Sequence, residues 1–356
     1  MQPFSGAYPE TDIQFLLRPI AMAMTDLALK EELIQSGKAH YSDLLSQEAI
    51  PSPEHLSIYR QSLLTGAQRL ATDVLRLAKR LMTDYKGQPI VLVSLVRAGV
   101  PLGVMLTRAL RFMGQEVHHY GISIIRDRGI DTAAMDYIEA RHSPASVVFV
   151  DGWVGKGAIT NQLTASLKNR KGYAGKPKLV VLADPCGVAW LSASDDDWLI
   201  PFGILGANVS GLISRSVWSA DDFHGCVLCS HLADLECGVA LVDQVQALVE
   251  QQDLATIQPA DWVWQEKTTQ IEASLAVIKT LESQYAVDSL NRIKPGIAEA
   301  TRAVLRRVPD HVLVRSKQDP DVKLLVHLAV SKGVHVEALG DLLGPYRAVT
   351  IIKKVL

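Results

Sequence analysis

The sequence has few cysteines, almost no net charge and no long uncharged apolar run. Four cysteines among 356 residues exclude a disulfide scaffold and indicate a reducing compartment. A formal charge of −2 for the whole chain points to no polyanionic partner and no polycationic one. The most apolar stretch, from Phe15 to Ile34, is interrupted by charged residues and a proline, so we expect no membrane span.

The N-terminal residues also lack the basic start and apolar run of a secretory signal. The chain is therefore predicted to be cytoplasmic, with no membrane partner. Its composition, 48% hydrophobic and 21% charged, is typical of a globular protein that buries a large core.

Short apolar runs bounded by turn residues alternate with helical patterns in the middle of the chain. The predicted strands are Ile90–Val96, Tyr120–Ile125, Val147–Val150, Leu179–Ala183 and Trp198–Leu205. Uniformly apolar strands separated by helices predict an α/β fold, namely a doubly wound, mainly parallel sheet. A helical N-terminal region, with a long helix from Glu54 to Tyr85, precedes this sheet.

We divide the chain into three parts. Residues 1–255 form the α/β domain, with its core at about 86–220, and residues 256–290 form a helical connector. Residues 291–356 form a small α/β domain with predicted strands at His311–Arg315, Val334–Ala338 and Val349–Ile352, and they include 12 Lys or Arg and 6 Asp or Glu. This local excess of positive charge indicates a polyanionic partner for the C-terminal domain.

Two strand–helix turns could bind phosphate. In the first, Arg97, Ala98 and Gly99 follow a buried strand and open a helix, whose exposed amides attract anions. In the second, Asp151 follows another buried strand and could accept hydrogen bonds from ribose hydroxyls. The glycine-rich loop behind Asp151 could hold a phosphate through Gly155, Lys156, Gly157 and Ala158. The alternatives are an ordinary turn with a surface arginine and an incidental glycine-rich turn.

Together the two turns resemble the diphosphate and ribose 5-phosphate motifs of the type I phosphoribosyltransferase family. Ala98 replaces a glycine of the first motif, and Gly152 replaces the second acid of the second motif. Lys156 stands where a threonine is usual. The resemblance implies a phosphoribosyltransferase-like fold that binds phosphoribosyl diphosphate with Mg²⁺, and Asp151 as the metal ligand.

Three other segments are candidates for the same site or for a metal. Arg126 and Arg128 lie where the family has a loop that closes over the substrate, although a solvated charged loop is as plausible. The stretch from Ser210 to Arg215 could line the acceptor pocket or be a simple connection. His224, Cys226, Cys229 and His231 have the spacing of a metal cluster, but buried cysteines and histidines without metal are the favoured interpretation.

The C-terminal domain begins with a helix that has one polar face. Glu299, Arg302 and Arg306 share that face, while Ile297, Ala300 and Val304 share another. The segment resembles an RNA-binding helix of Pelota/L7Ae-like domains. The resemblance implies that structured RNA binds through Lys294, Gly296, Glu299, Arg302, Arg306 and Arg307. Ala298 replaces the asparagine that reads a base, so phosphate and shape recognition are expected, and a solvated basic helix is the alternative.

Over nearly its whole length the sequence is similar to a bacterial family of tellurium-resistance and stress operons, which is labelled cysteine protease StiP. Phe4–Tyr8 and Gln35–Ser42 contribute to this resemblance. Our leading hypothesis is a phosphoribosyltransferase-like enzyme with an unknown acceptor, directed to RNA by its C-terminal domain. A non-catalytic nucleotide sensor and a cysteine protease are the alternatives, and a homodimer is one assembly state compatible with the sequence.

Overall fold

The computed structural model describes residues 2–173, 175–261 and 267–354. Its helices are α1 (Leu27–Gln35), α2 (Pro53–Tyr85), α3 (Gly99–Phe112), α4 (Thr132–Glu139), α5 (Ala158–Leu167), α6 (Gly238–Glu250), α7 (Thr268–Gln284), α8 (Ile297–Arg306) and α9 (Lys323–Ser331). Its strands are β1 (Gln14–Phe15), β2 (Arg18–Pro19), β3 (Ile90–Leu95), β4 (Val117–Ile122), β5 (Ile124–Ile125), β6 (Gly129–Ile130), β7 (Val147–Val150), β8 (Leu179–Ala183), β9 (Leu191–Ser194), β10 (Gly225–Cys226), β11 (Ile293–Pro295), β12 (Pro309–Val314), β13 (His335–Ala338) and β14 (Ala348–Ile352). Part of the predicted connector, residues 262–266, lies outside the described residues. No helix in the described ranges has the length and apolarity needed to cross a membrane.

Six strands form the main sheet in the order β1–β4–β3–β7–β8–β9, and all neighbouring pairs are parallel. The chain leaves β3 toward β4 on one side and later adds β7 on the other side. This reversal opens a crevice at the carboxyl ends of β3 and β7, which is where ligands bind in such sheets. The loops after these two strands therefore meet at the crevice.

Helices cover both faces of the main sheet because its strands are apolar at successive positions. Ile90 and Leu92 of β3 belong to a core that includes residues of α2, α3 and α6. Val91 and Val93 belong to a second core that includes residues of α4, α5 and α7. The predicted doubly wound, mainly parallel α/β fold is therefore confirmed.

The long helix α2 has clear start and stop signals. The Ser52 hydroxyl accepts a hydrogen bond from the His55 amide at 3.2 Å, and Pro53 occupies the first turn, where its missing N–H costs nothing. The helix ends at Tyr85, and the next residue, Lys86, has a φ of 45° in the left-handed region. The predicted helix over 54–85 is confirmed.

A second sheet, in the order β11–β14–β12–β13, forms the C-terminal unit together with α8 and α9. Helix α8 is amphipathic as predicted, since Ile297, Ala300 and Val304 are buried while Glu299 and Arg302 are only half-buried. The strands predicted near 311–315, 334–338 and 349–352 are confirmed. The short strand β11 was not predicted.

One predicted strand is wrong. The edge strand beside β8 is β9, and the apolar run 198–205 contains a short 3-10 helix, Pro201–Ile204. Proline cannot donate a ladder hydrogen bond, which disfavours a strand at this position. The run is apolar because it is buried: Phe202 packs against Trp153 with their ring centroids 6.5 Å apart.

Candidate functional site

The loop after β3 packs tightly against the end of β7. A Cβ atom at Gly99 would lie 2.1 Å from the Val150 carbonyl oxygen, so only glycine fits at this position. The peptide bond between Val96 and Arg97 is cis. Helix α3 begins at Gly99, so Arg97 and the first amides of the helix lie at the crevice.

The loop after β7 begins with Asp151 and ends where α5 begins. The Asp151 carboxylate accepts a hydrogen bond from the Gly152 amide at 2.8 Å. Gly157, just before α5, has a φ of 82°, which favours glycine. A Cβ atom at Gly152 would lie 3.0 Å from the Ala98 carbonyl oxygen, so there is little room for a second acid after Asp151.

The same loop is docked onto the C-terminal unit. A Cβ atom at Gly155 would lie 2.6 Å from the Pro295 carbonyl oxygen. Lys156 Nζ donates hydrogen bonds to the Ile293 carbonyl oxygen, at 2.7 Å, and to that of Leu290. The C-terminal unit therefore forms one wall of the crevice.

A carboxylate of the main domain positions α8. Asp197 accepts hydrogen bonds from the Ile297 amide at 2.9 Å and from the Arg347 amide at 2.8 Å. Burial raises the pKa of Asp197 to about 6, although both amides oppose this shift. Gly296, with a φ of 89°, lies beside Asp197 and connects β11 to α8. This cap fixes the first turn of α8, whose polar face lines the crevice.

Glu48 connects three parts of the site. Its carboxylate accepts hydrogen bonds from Arg97 at 2.6 Å and from the Ala207 amide at 2.8 Å, and lies 3.7 Å from an Arg306 nitrogen. A Cβ atom at Gly206 would lie 1.4 Å from a Glu48 oxygen, so glycine makes room for this carboxylate. Burial raises the pKa of Glu48, but the guanidinium groups of Arg97 and Arg306 outweigh burial and lower the pKa to about 2.

Other ion pairs hold the N-terminal segment 24–48 beside the crevice. The fully buried Glu31 pairs with Arg307, with one nitrogen–oxygen distance of 2.9 Å. Asp43 pairs with Arg128 at 2.6 Å. Glu31, Asp43 and Glu48 of this segment thus contact arginines of the main α/β domain and of the C-terminal unit.

These parts enclose a pocket of about 540 Å³. Within the described ranges, nine cationic side chains and three carboxylates line it. The cations are Lys30, Arg97, Arg126, Lys156, Arg215, Lys294, Arg302, Arg306 and Arg307, and the carboxylates are Glu48, Asp151 and Glu299. An enclosed space with this excess of positive charge attracts an anionic ligand.

The charges in the pocket are incompletely neutralised. Burial, together with the charges of nearby cations, lowers the pKa of Lys156 to about 7 and that of Lys294 to about 8. Burial, followed by the charge of Arg97, lowers the pKa of Arg302 to about 10 and that of Arg306 to about 9. A bound anion would stabilise the charged form of all four side chains.

The two arginines of the predicted closing loop have different surroundings. Arg126 lines the pocket, donates a hydrogen bond to the Asn291 side chain at 3.0 Å, and lies 5.4 Å from the Tyr41 ring centroid. Arg128 is not part of the lining, because its guanidinium pairs with Asp43 and lies 4.8 Å from the Trp218 ring centroid.

Most of the predicted site residues meet in this pocket. Those in the lining are Arg97, Ala98, Arg126, Asp151, Gly155, Lys156, Gly157, Ala158, Lys294, Glu299, Arg302, Arg306 and Arg307. Gly99 and Gly296 shape the adjacent backbone. The sequence indicated a phosphate site and a separate RNA-binding face, whereas the structure places the residues of both in one pocket. Glu31, Glu48 and Asp197 were missed, since their partners are distant in sequence.

The segment 224–237 shows no metal geometry. In the part of the chain that the structure describes, no group of three or more His, Cys, Asp or Glu could hold a metal ion. His224 Nδ1 lies 2.7 Å from Ser123 Oγ, and His231 Nε2 lies 2.9 Å from the Glu48 carbonyl oxygen. The segment contributes one cysteine and one histidine to the wall of the pocket.

None of the four cysteine thiols is in an activating environment. Burial raises the pKa of Cys226 to about 12 and that of Cys237 to about 11. It also raises the pKa of Cys229, which lines the pocket, and moves that of Cys186 well above its usual range. A nucleophilic cysteine needs the opposite shift, because the thiolate is the reactive form.

We therefore expect slow thiol labelling in the folded protein. At pH 7.5, iodoacetamide should react with each native cysteine at least about tenfold more slowly than with the unfolded chain, because three of the thiols are buried, Cys237 is half-buried, and all four are protonated. Mass spectrometry of timed samples measures this rate. Cys229→Ser is the matched variant: rapid labelling of one thiol, together with a peptidase activity that Cys229→Ser abolishes, would overturn this expectation.

Two families match different parts of the chain. Residues 6–246 match the family described as "Tellurite-like stress resistance cysteine protease StiP", and residues 272–354 match the PELOTA RNA binding domain. The cysteine protease StiP of Acinetobacter baylyi is 46% identical over 371 residues, which cover 99% of this chain and 95% of the relative.

Solved structures match a smaller part. The hypoxanthine phosphoribosyltransferase of Trypanosoma cruzi matches 36% of this chain and 77% of its own at 23% identity, with a TM-score of 0.29. The same enzyme in complex with its product IMP matches 33% of this chain and 67% of its own at 24% identity, with a TM-score of 0.27. A likeness at this level says nothing of activity.

Proposed function

The chain belongs to the StiP family, and for this member we propose that the central pocket binds phosphoribosyl diphosphate and transfers its phosphoribosyl group to an acceptor. The observation that carries the proposal is the lining of nine cations and three carboxylates at the crevice of a doubly wound sheet. A ligand with phosphate at both ends and a sugar between them is complementary to this lining.

The two loops supply different contacts. Arg97 and the amides of Ala98 and Gly99 bind the diphosphate, and Lys156 with the amides at the start of α5 binds the 5-phosphate. Asp151 accepts hydrogen bonds from the ribose hydroxyls. The motifs that resemble type I phosphoribosyltransferases support the same assignment. Arg97 then exchanges the Glu48 carboxylate for a phosphate oxygen, so one anion replaces another.

Magnesium fits this pocket as a companion of the substrate. Proteins commonly hold Mg²⁺ with one or two carboxylates together with substrate phosphates. Asp151 and Glu299 are carboxylates of the lining, and no cluster of three such ligands exists among the described residues. Asp151 and Glu299 therefore fit a Mg²⁺ ion that arrives with the diphosphate. The ion would offset the negative charge of the diphosphate as it leaves.

The transfer needs no covalent participation by the protein. The bond between ribose C1 and the diphosphate oxygen breaks while the acceptor nucleophile forms a bond to C1. Negative charge grows on the departing diphosphate, and Arg97 stabilises it. Catalysis is then a matter of holding the two reactants in line and neutralising the leaving group.

Isothermal titration calorimetry with phosphoribosyl diphosphate and Mg²⁺ tests the binding step. We expect saturable binding of one ligand per chain, and an absence of binding would contradict the proposal. Release of pyrophosphate against a panel of bases and nucleosides tests turnover. Binding without release would favour a non-catalytic sensor, the alternative that Gly152 supports because it replaces an acid.

RNA binding by the C-terminal unit is a second candidate function. The observation that favours it is the match of residues 272–354 to the PELOTA RNA binding domain. The candidate contacts Lys294, Arg302, Arg306 and Arg307 line the pocket. RNA that uses them must displace the acidic groups of segment 24–48, and it must compete with a phosphorylated ligand.

A salt titration of RNA binding by the full chain tests this candidate. Arg302→Ala should flatten the slope of log K against log salt by roughly 0.7–0.9, the value for one lost phosphate contact. Saturating pyrophosphate should weaken RNA binding by wild type. RNA binding that neither Arg302→Ala nor pyrophosphate alters would show that RNA does not use the polar face of α8.

A further inference from the structure

The C-terminal unit contributes four cations to the described lining of the pocket, whereas the two phosphate loops contribute two, Arg97 and Lys156. Lys294 of β11 and Arg302, Arg306 and Arg307 around α8 all line it. Arg307 is neutralised by Glu31. The other three have little neutralisation, which suggests that their counter-ion is a ligand.

One cluster of cations surrounds Arg97, and we call it the diphosphate end (Arg97, Arg302 and Arg306). Arg97 and Arg306 converge on the single carboxylate of Glu48, at 2.6 and 3.7 Å. Arg302 makes one long hydrogen bond of 3.4 Å, to the Leu205 carbonyl oxygen, and its buried Nε has no partner. Arg97 and Arg306 thus share one carboxylate and Arg302 makes only the long hydrogen bond, which leaves the three guanidinium groups under-neutralised.

A second cluster lies at the loop that opens α5, and we call it the monophosphate end (Arg126, Lys156 and Lys294). Lys156 Nζ binds the Ile293 carbonyl oxygen, adjacent in sequence to Lys294. The positive charge of Lys294 and that of Arg126 both lower the pKa of Lys156. Glu299 is the carboxylate whose charge both lysines feel.

We propose that the C-terminal unit completes both ends of the phosphoribosyl pocket: Arg302 and Arg306 bind the diphosphate of the ligand, and Lys294 binds its 5-phosphate. This inference rests on the proposed function and extends it, because it gives the polar face of α8 a small bis-phosphorylated ligand. The main domain and the C-terminal unit then bind the same ligand molecule from opposite sides of the pocket, and the ligand links the two units.

The size and enclosure of the pocket favour a small ligand over folded RNA. A volume of about 540 Å³ lies within the range of small-molecule sites, roughly 300–1,000 Å³. Segment 24–48 contributes Lys30, Tyr41 and Glu48 to the wall, so the α8 face is covered. A nucleotide-sized molecule fits such a space, whereas an RNA helix needs an open surface.

Three probes separate the two ends: pyrophosphate, ribose 5-phosphate and phosphoribosyl diphosphate, each titrated calorimetrically into the full chain. Arg306→Gln should lower the affinity for pyrophosphate at least about tenfold, since one charge-assisted contact is lost, and should change the affinity for ribose 5-phosphate by less than about threefold. Lys294→Gln should lower the affinity for ribose 5-phosphate and leave that for pyrophosphate nearly unchanged. The affinity for phosphoribosyl diphosphate should fall in both variants. The exposed Lys317, outside the lining, supplies the matched control Lys317→Gln, which should change nothing.

The outcomes distinguish this inference from the proposed function. If wild type binds phosphoribosyl diphosphate and neither variant changes any affinity, the inference is wrong and the proposed function stands. If the variants show the expected pattern for pyrophosphate and ribose 5-phosphate but phosphoribosyl diphosphate does not bind, the proposed function is wrong, and only the assignment of Arg306 and Lys294 to two separate phosphate sites stands. If no probe binds wild type, both are wrong. Arg306→Lys, which keeps the charge, should restore most of the affinity and excludes a folding defect.

Discussion

Asp151→Asn should weaken the binding of phosphoribosyl diphosphate on the order of 100-fold. The substitution removes a carboxylate that accepts charge-assisted hydrogen bonds, and two such bonds account for a loss of this size. The Gly152 amide can still donate to the remaining side-chain oxygen, so the loop keeps its shape. Calorimetry at constant Mg²⁺ measures the affinity. A loss smaller than about threefold would remove Asp151 from the binding site.

The affinity of wild type should also depend on pH. Burial raises the pKa of Asp151 to about 7, so the carboxylate ionises between about pH 6 and 8. The pKa of Lys156 is also about 7, and its loss of charge lowers the affinity of wild type and of Asp151→Asn alike over this interval. The ratio of wild-type affinity to Asp151→Asn affinity should therefore rise between about pH 6 and 8. Because the pKa of Asp151 in the folded state lies above the unfolded value of about 3.9, ionisation destabilises the ligand-free fold as pH increases to about 7. At pH 8 the variant should therefore unfold at the same temperature as wild type or higher.

The largest loss of stability is expected from Lys267→Met. Lys267 Nζ lies 2.9 Å from the Asp184 carboxylate, and both side chains are fully buried at 0% exposure. Removing the lysine leaves a buried negative charge without its cation, which costs about 3–5 kcal/mol of the free energy of unfolding. Guanidinium denaturation at pH 7 measures the change.

A second lysine supplies the control for that experiment. Lys354 pairs with Asp288 at 2.7 Å, but the two side chains are 59% and 46% exposed. Lys354→Met should therefore cost less than about 1 kcal/mol. Adding Asp184→Asn to Lys267→Met should restore part of the loss, since it removes the unpaired charge. A loss from Lys267→Met no larger than that of the control would show that this ion pair does not stabilise the fold.

Local patterns were sufficient to predict the central strands of the main sheet and the helix faces. Uniformly apolar runs identify β3, β7 and β8 because these strands are buried on both faces. The polar face of α8 follows from helical spacing alone. The strand predicted over 198–205 is wrong because burial makes a 3-10 segment as apolar as a strand. The true edge strand, β9, consists largely of small and polar residues and therefore has no strong apolar signal.

The pocket itself could not be predicted, because long-range contacts form it. Arg97 meets Glu48, 49 residues earlier, and Lys156 meets the Ile293 carbonyl oxygen across 137 residues. No spacing rule connects such pairs. The two charged motifs were recognisable separately, but contacts such as the docking of Gly155 against the β11 backbone bring them into one site. That glycine is a local sign of a close backbone approach, and the sequence alone does not say what approaches.

The most direct measurement is a crystal structure of the full chain grown with phosphoribosyl diphosphate and Mn²⁺, a substitute for Mg²⁺ that anomalous scattering detects. We predict the diphosphate against Arg97 and Arg306, the 5-phosphate against Lys156 and Lys294, the Mn²⁺ signal beside Asp151, and Glu48 displaced from Arg97. Ligand density outside this pocket, or a pocket in which Glu48 keeps its contact with Arg97 at saturating ligand, would contradict the account.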